Sequence, residues 1–378
     1  MIGTNQKTEN RNMNTVNTTA INPIAPSELL GQARAALLID RFLMIVGSGG
    51  AGKTSMVCKH LGPAMGREVW EVNLNGSGPQ ETTGYLVPDS VTRDGWFSAP
   101  EIWPTLDRVG DRPILLFLDE SNDYDPQVRA LLRSLYPASG KRKVGSHVLG
   151  TNVFVVCATN RRCDGTRSAV EDAPFTERCI KVTLEPTVND WIEWYDGVPA
   201  LSNSGSHVPT FLCYGTAPDS EKVDHFNPPV VMPYDGVPHP CPRTWEAVAL
   251  LEPLRKTEKE VYRKAVKGSI GDRAASAFFA FLQHVDKIPD IAALKADPDA
   301  YKVPDDAASQ FALVSACLAV ATKGVKDIPI AAHSGGFDWL VSLLLRCRGD
   351  IREFGARSAD RRGIPLSEHP KSLDLILS

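Results

Sequence analysis

The densest chemical signal in the chain is the run Gly47-Ser48-Gly49-Gly50-Ala51-Gly52-Lys53-Thr54, which matches G-x-x-x-x-G-K-[ST] at every defined position. Its four glycines allow a wide turn whose backbone N–H groups all point inward at phosphate oxygens. Ser55 opens the apolar stretch SMVCKHLG, which reads as a helix adding its positive end to the same anion site. Lys53 can reach β and γ phosphates, and the Thr54 hydroxyl can hold Mg²⁺. A dinucleotide loop needs G-x-G-x-x-G and a ribose-binding acid about 20 residues later, and this spacing differs. The chemistry implied is that of a nucleoside triphosphate.

Two carboxylates extend that reading. The apolar run ILLFL (114–118) ends in Asp119 and Glu120, so a buried strand delivers both acids at its end. Asp119 can stabilise Mg²⁺ directly or through water, and Glu120 can orient and polarise an attacking water. The second acid points to hydrolysis of a phosphoanhydride rather than retention of nucleotide. A third polar terminus, Asn160, ends VFVVCATN. Its amide can hydrogen-bond a lytic water or a γ phosphate, and it equally suits an ordinary turn.

The elements that must position these groups follow from the apolar pattern. RFLMIV (41–46), EVWEVNL (68–74), ILLFL (114–118), VFVVCA (153–158) and CIKVTL (179–184) read as five strands, with helical segments between most of them. That rhythm belongs to a covered, mostly parallel sheet, and so to the α/β class. Asp125-Pro126 is a helix start, with Val128, Leu131, Leu132 and Leu135 forming an apolar stripe behind it. Ser27 is expected to cap the first helix. Beyond Pro186 the strand series stops, and from Trp245 onward the pattern is helical. The expected division is a flexible tail over 1–24, an α/β core over 25–186, a lid region over 187–290 and a helical C-terminal extension over 291–378.

Composition excludes several classes. With 378 residues, 43% hydrophobic and 23% charged, the chain has the make-up of a globular protein. No window approaches 18 uninterrupted apolar residues, and the N-terminus has no apolar stretch after its charges, so neither a membrane span nor a signal peptide is expected. A net charge of -4 argues against a strong nonspecific hold on nucleic acid, without excluding a local basic groove. The eight cysteines form no CxxC and no Cys/His cluster, so zinc is not expected; free thiols point to a reducing cytoplasm.

Taken together, GSGGAGKT, ILLFLDE and Asn160 resemble the Walker A, Walker B and sensor-1 elements of an AAA+ ATPase, and PRTWE (242–246) with DWIEWY (190–195) resembles the MoxR-like group of bacteria and their phages. The resemblance implies a P-loop NTPase parallel-sheet core followed by an α-helical lid. It implies an arginine finger at Arg178, before the fifth strand, and a sensor-2 arginine at Arg243. Glu177-Arg178-Cys179 departs from the usual pattern, and Arg161 and Arg162 compete for the intersubunit role. Gly84-Tyr85-Leu86 lies where this group has its helix-2 insert, and Lys141-Arg142-Lys143 where it has its pre-sensor-1 hairpin; both are candidates to face a channel, the basic triplet equally a solvated tip.

The function implied is ATP and Mg²⁺-dependent hydrolysis in a homo-oligomeric, hexameric ring, cytoplasmic in a bacterium or a phage host. The ring would remodel or activate a separate protein, such as a von Willebrand A-type partner. A nucleic-acid-stimulated motor and a nucleotide-gated structural ring are the alternatives.

Overall fold

The computed structural model describes residues 22–92, 94–136, 140–161, 177–215, 224–228, 236–286, 291–325, 337–366 and 369–371. Six strands form one sheet: β1 (Pro23–Ile24), β2 (Phe42–Gly47), β3 (Glu68–Val72), β4 (Ile114–Leu118), β5 (Val153–Asn160) and β6 (Cys179–Leu184). Their spatial order is β1-β6-β2-β5-β4-β3, and every pairing is parallel. The five expected strands are joined by β1, in which Pro23 pairs with Thr183 and Ile24 with Leu184. Pro23 and Ile24, expected to lie in the tail, are therefore part of the sheet. A two-residue strand has no periodicity to read, and its proline suits an edge, where a missing N–H breaks no ladder.

The central strands are apolar without alternation because both sheet faces are covered. On one face Met44, Leu116 and Val155 pack with Val128, Leu132 and Leu135 of the segment following Asp125. On the other, Leu43, Ile45, Phe117 and Val156 pack against Ala33 and Ala36 of helix α1 (Leu29–Leu38) and against Val57 and Leu61. Strand β3 is an edge and is less completely covered: Glu68 and Glu71 are exposed, Val69 and Trp70 half-buried and Val72 buried, so the alternation expected of it is not found.

Helix starts follow local chemistry with one correction. Helix α2 (Pro126–Leu132) is capped as expected, its Asp125 carboxylate accepting from the Gln127 N–H at 2.8 Å. Ser27, however, does not cap α1. It lies inside a 3-10 turn over Pro26–Glu28, where the Glu28 carboxylate accepts from the Ala25 N–H at 2.8 Å. The turn takes Ser27 into its interior, so the residue that precedes α1 is Glu28 and Ser27 has no place at the helix boundary.

The helical half comprises α3 (Val188–Gly197), α4 (Pro242–Leu250), α5 (Lys259–Val285), α6 (Ala307–Val325), α7 (Asp338–Arg346) and α8 (Gly349–Arg361), with shorter helices between. Trp191, Trp245, Phe278, Phe311, Leu340 and Ile351 belong to one apolar cluster, so side chains on both sides of residue 290 share a core. Among the described residues no helix is long and apolar enough to cross a membrane.

Helix α5 breaks at Gly271, with φ 76° and ψ 165°. That conformation is open essentially to glycine alone, and a Cβ there would lie 2.5 Å from the Pro238 carbonyl oxygen. Gly271→Ala is expected to lower unfolding stability by about 2 kcal/mol or more. Urea unfolding checks this, and an unchanged midpoint would contradict the strained fit.

Candidate active site

The site is assembled at the C-terminal edge of the parallel sheet. Gly47 at the end of β2 lies opposite Asn160 at the end of β5, and Leu118 at the end of β4 lies opposite Cys157. The loop after β2, the acids after β4 and the amide ending β5 therefore share one edge.

The 47–54 loop turns twice on positive-φ glycines, Gly50 (77°) and Gly52 (85°). The Ala51 N–H donates to the Ser48 carbonyl at 3.2 Å, closing the first turn. A Cβ on Gly49 or Gly52 would meet nothing within 4 Å, so the loop is unfilled at those points. Helix begins at Lys53–Ser55, runs through π-helical turns over Met56–Leu61 and finishes at Gly62–Ala64. The expected helix is thus present but wider in its middle.

Lys53 is buried, only 8% exposed. Its ammonium donates to the Gly47 carbonyl at 3.0 Å, the Ser48 carbonyl at 2.9 Å and the Asn160 Oδ1 at 2.8 Å. The Thr54 hydroxyl donates to Asp119 Oδ2 at 2.6 Å, while Asp119 Oδ1 accepts from the Glu120 N–H at 2.9 Å. Lys53, Thr54, Asp119 and Asn160 therefore meet directly.

Glu120 has a left-handed backbone, φ 53° and ψ 35°, an uncommon state for a residue with a side chain. Its carboxylate accepts from the Asn73 amide at 3.4 Å and from the Asn75 amide at closer range. Beneath it, burial foremost keeps the Tyr124 phenol protonated, with its oxygen 2.6 Å from the Asp119 carbonyl and 3.2 Å from that of Val72. Burial first, then Glu71 and Asp119, push the Cys58 thiol up to about 11, so it is no nucleophile at neutral pH.

The oxygens of Thr54 and Asp119 suit a hard cation. Mg²⁺ is commonly held by one or two protein oxygens, with waters and phosphate oxygens supplying the rest. Among the described residues no group of three or more His, Cys, Asp or Glu forms a metal cage. The oxygen set present fits a cation shared with phosphate.

Other predicted residues sit differently. Arg178 immediately precedes β6, whose Cys179 pairs with Phe42 at the start of β2. It is at the opposite edge from Gly47, about 20 Å away along the strand, and its Nη1 donates to the Tyr136 carbonyl at 3.0 Å. Arg243 joins the site from α4: a Cβ on Gly50 would lie 3.3 Å from Arg243 Cβ and 2.6 Å from the Cys241 sulfur. Arg161 donates its N–H to the Gly47 carbonyl at 3.3 Å, and its guanidinium stands 3.9 Å from the Glu185 carboxylate. Arg162 lies outside the described residues.

The basic triplet is corrected in its centre. Arg142 is not a free tip cation: its guanidinium donates to the Val153 carbonyl at 3.1 Å, the Leu135 carbonyl at 3.0 Å and the Asp40 carboxylate. Lys141 and Lys143 remain exposed beside the Lys143–Val144 and His147–Val148 hairpin. Gly84-Tyr85-Leu86 leads into a second hairpin, Leu86–Pro88 with Gly95–Phe97, on which Tyr85, Leu86, Trp96 and Phe97 are exposed.

Sequence reasoning missed Asn73, Asn75, Asn227 and Cys241. Asn73 and Asn75 carried a usable signal, being amides just past a strand that ends at the same edge. Asn227, whose amide donates to the Ser48 hydroxyl at 2.9 Å, carried none.

No family model matches the chain, and no curated protein matches it. Among solved structures, a protein of Cytophaga hutchinsonii described as a candidate ATPase is similar at 14% identity over 42% of this chain, with a TM-score of 0.29. The chain covers 46% of that protein's length, a little under half. A likeness of that extent leaves the site to be argued from its own geometry.

Proposed function

We propose that the chain is an ATP-hydrolysing AAA+ ATPase of MoxR-like type, working as a ring that remodels or activates a separate protein. The observation that carries the reading is the convergence of Lys53, Thr54, Asp119, Glu120 and Asn160 at one edge of a parallel sheet. Counting only the five long strands in chain order, the sheet reads 5-1-4-3-2, so the acid-bearing strand is separated from the loop strand by the strand ending in Asn160.

In this reading the loop amides and Lys53 would hold the β and γ phosphates, and Thr54 and Asp119 would hold a Mg²⁺ ion, whose charge would offset that of the phosphates. Glu120 orients a water and takes its proton as the water attacks the γ phosphorus in line; the new P–O bond forms as the bond from that phosphorus to the β–γ bridging oxygen breaks, giving ADP and inorganic phosphate. Asn160 is placed to hydrogen-bond the same water or the γ phosphate. The Asn73 and Asn75 amides hold the Glu120 carboxylate aside, so its engagement requires their release.

Arg178 lies too far along its own strand to serve its own site, which supports an intersubunit role, completing a neighbour's site in a homo-oligomer, a hexameric ring in the proposed assembly. Arg243 stands over the loop from the helical half, which supports a sensor-2 role. A protein partner, a von Willebrand A-type protein among the candidates, is favoured over nucleic acid. The hairpin bearing Tyr85, Leu86, Trp96 and Phe97 exposes apolar rather than basic surface, and Arg142 is already engaged.

Three outcomes are expected in a Mg²⁺-dependent phosphate-release assay on the full chain. Lys53→Ala abolishes nucleotide binding, and Glu120→Gln retains binding but slows turnover by about a hundredfold or more. Arg178→Ala retains binding and loses about a thousandfold in turnover; normal turnover would remove it from the interface. Wild-type binding with no turnover at any concentration would sink the enzymatic reading, and stimulation by single-stranded DNA would move the partner from protein to nucleic acid.

Asn75→Ala is expected to raise basal turnover several-fold at unchanged nucleotide affinity, because it frees the Glu120 carboxylate. A fall in turnover would mean that Asn75 supports the active rather than the withheld position.

A further inference from the structure

The 47–54 loop has an unusually soft point. Ser48 to Ala51 form a turn closed by the 3.2 Å bond from the Ala51 N–H to the Ser48 carbonyl. Gly50 at its third position has φ 77° and Gly49 at its second has a negative φ, the combination of signs found in a type II turn. Proline at the second position presets that turn. Gly49 instead has the largest conformational freedom of any residue, and no neighbour lies within 4 Å of where its Cβ would be.

What restrains the turn comes from a distant part of the chain. The Asn227 amide donates to the Ser48 hydroxyl at 2.9 Å, bridging 179 residues. Asn227 is itself firmly placed. The Asp224 carboxylate accepts from the N–H groups of Phe226 and Asn227 at 2.8 and 3.1 Å. The Phe226 ring is buried edge-on to Trp191 of α3, with centroids 6.3 Å apart. The Trp245 indole of α4 donates to the His225 carbonyl at 2.8 Å, and the His239 ring lies 2.6 Å from the Pro228 carbonyl. Residues 224–228 are thus fixed to the helical half on several sides. Next to them Cys241 and Arg243 pack on Gly50, where a Cβ would fall 2.6 Å from the Cys241 sulfur.

We infer that Asn227 is a positioning residue that clips the turn of the 47–54 loop to the helical half, supplying through Ser48 the rigidity that Gly49 withholds. The inference rests on the reading of this loop as the nucleotide site and deepens it. The clip acts on how well the loop is preformed for phosphate, so it bears on affinity and not on the hydrolytic step. It also means that a displacement of the helical half is transmitted to the loop through a side chain as well as through Arg243.

The test is titration of the full chain with a fluorescent N-methylanthraniloyl ATP, alongside steady-state turnover. Asn227→Ala is expected to weaken binding and raise KM by about five- to tenfold, with kcat within about twofold. Ser48→Ala, which removes the same bond from the loop side, should do likewise, and the double variant should be no worse than either single one. Gly49→Pro should restore most of the affinity of Asn227→Ala, because it presets the turn by another route. If wild type fails to bind the analogue, the nucleotide reading falls. If wild type binds and Asn227→Ala binds equally, if the two losses simply add, or if Gly49→Pro restores nothing, the clip is overturned and the nucleotide reading stands. Should Asn227→Ala lose its fold by circular dichroism, Ser48→Ala with and without Gly49→Pro decides the question.

Discussion

The constraint on which the rest of the molecule depends is the parallel register that sets Gly47 opposite Asn160. One residue of slip would turn every side chain of β2 to the other face, and both faces are packed, so the register is held by the whole sheet core. Once it is held, the Lys53 ammonium has the Asn160 side-chain Oδ1 within 2.8 Å, and the Thr54 hydroxyl has Asp119 within 2.6 Å. Removing an ammonium from water is costly unless its donors are met. Two loop carbonyls and the Asn160 amide meet them, and the loop is wrapped around its own lysine.

The same edge collects groups that restrain rather than react. Asn73 and Asn75 hold Glu120, whose left-handed backbone is stabilised by the Asp119 carboxylate accepting its N–H. Among the described residues the helical half has an apolar core of its own, and it meets the loop through the Asn227–Ser48 bond and the close approach of Cys241 and Arg243 to Gly50. Contacts of that kind can be exchanged at lower cost than buried apolar surface.

Most of the sheet was legible because buried parallel strands are written as continuous apolar runs. The β1 pairing was not, since two residues carry no period, and Ser27 was misassigned because a 3-10 turn over Pro26–Glu28 precedes the helix and takes Ser27 inside it. Lys53, Thr54, Asp119 and Glu120 were legible from a contiguous motif and an acid-terminated strand. Arg142 was misread because a basic triplet between two strands looks solvated until the Leu135 and Val153 carbonyls that hold it are brought alongside. Gly271 was hidden inside a helical pattern whose break only the neighbouring Pro238 carbonyl makes visible.

By itself the sequence determined features encoded within a few residues: the glycine-rich turn of the 47–54 loop, the acids at a strand end, the Asp125 cap. Local dihedral preferences and hydrogen bonds between near neighbours suffice for these. Only the tertiary structure decided which amides meet that loop, because the Lys53–Asn160 and Ser48–Asn227 bonds span 107 and 179 residues. Such pairings are selected by the packing of two apolar cores against which each partner is anchored, and no local pattern records that choice.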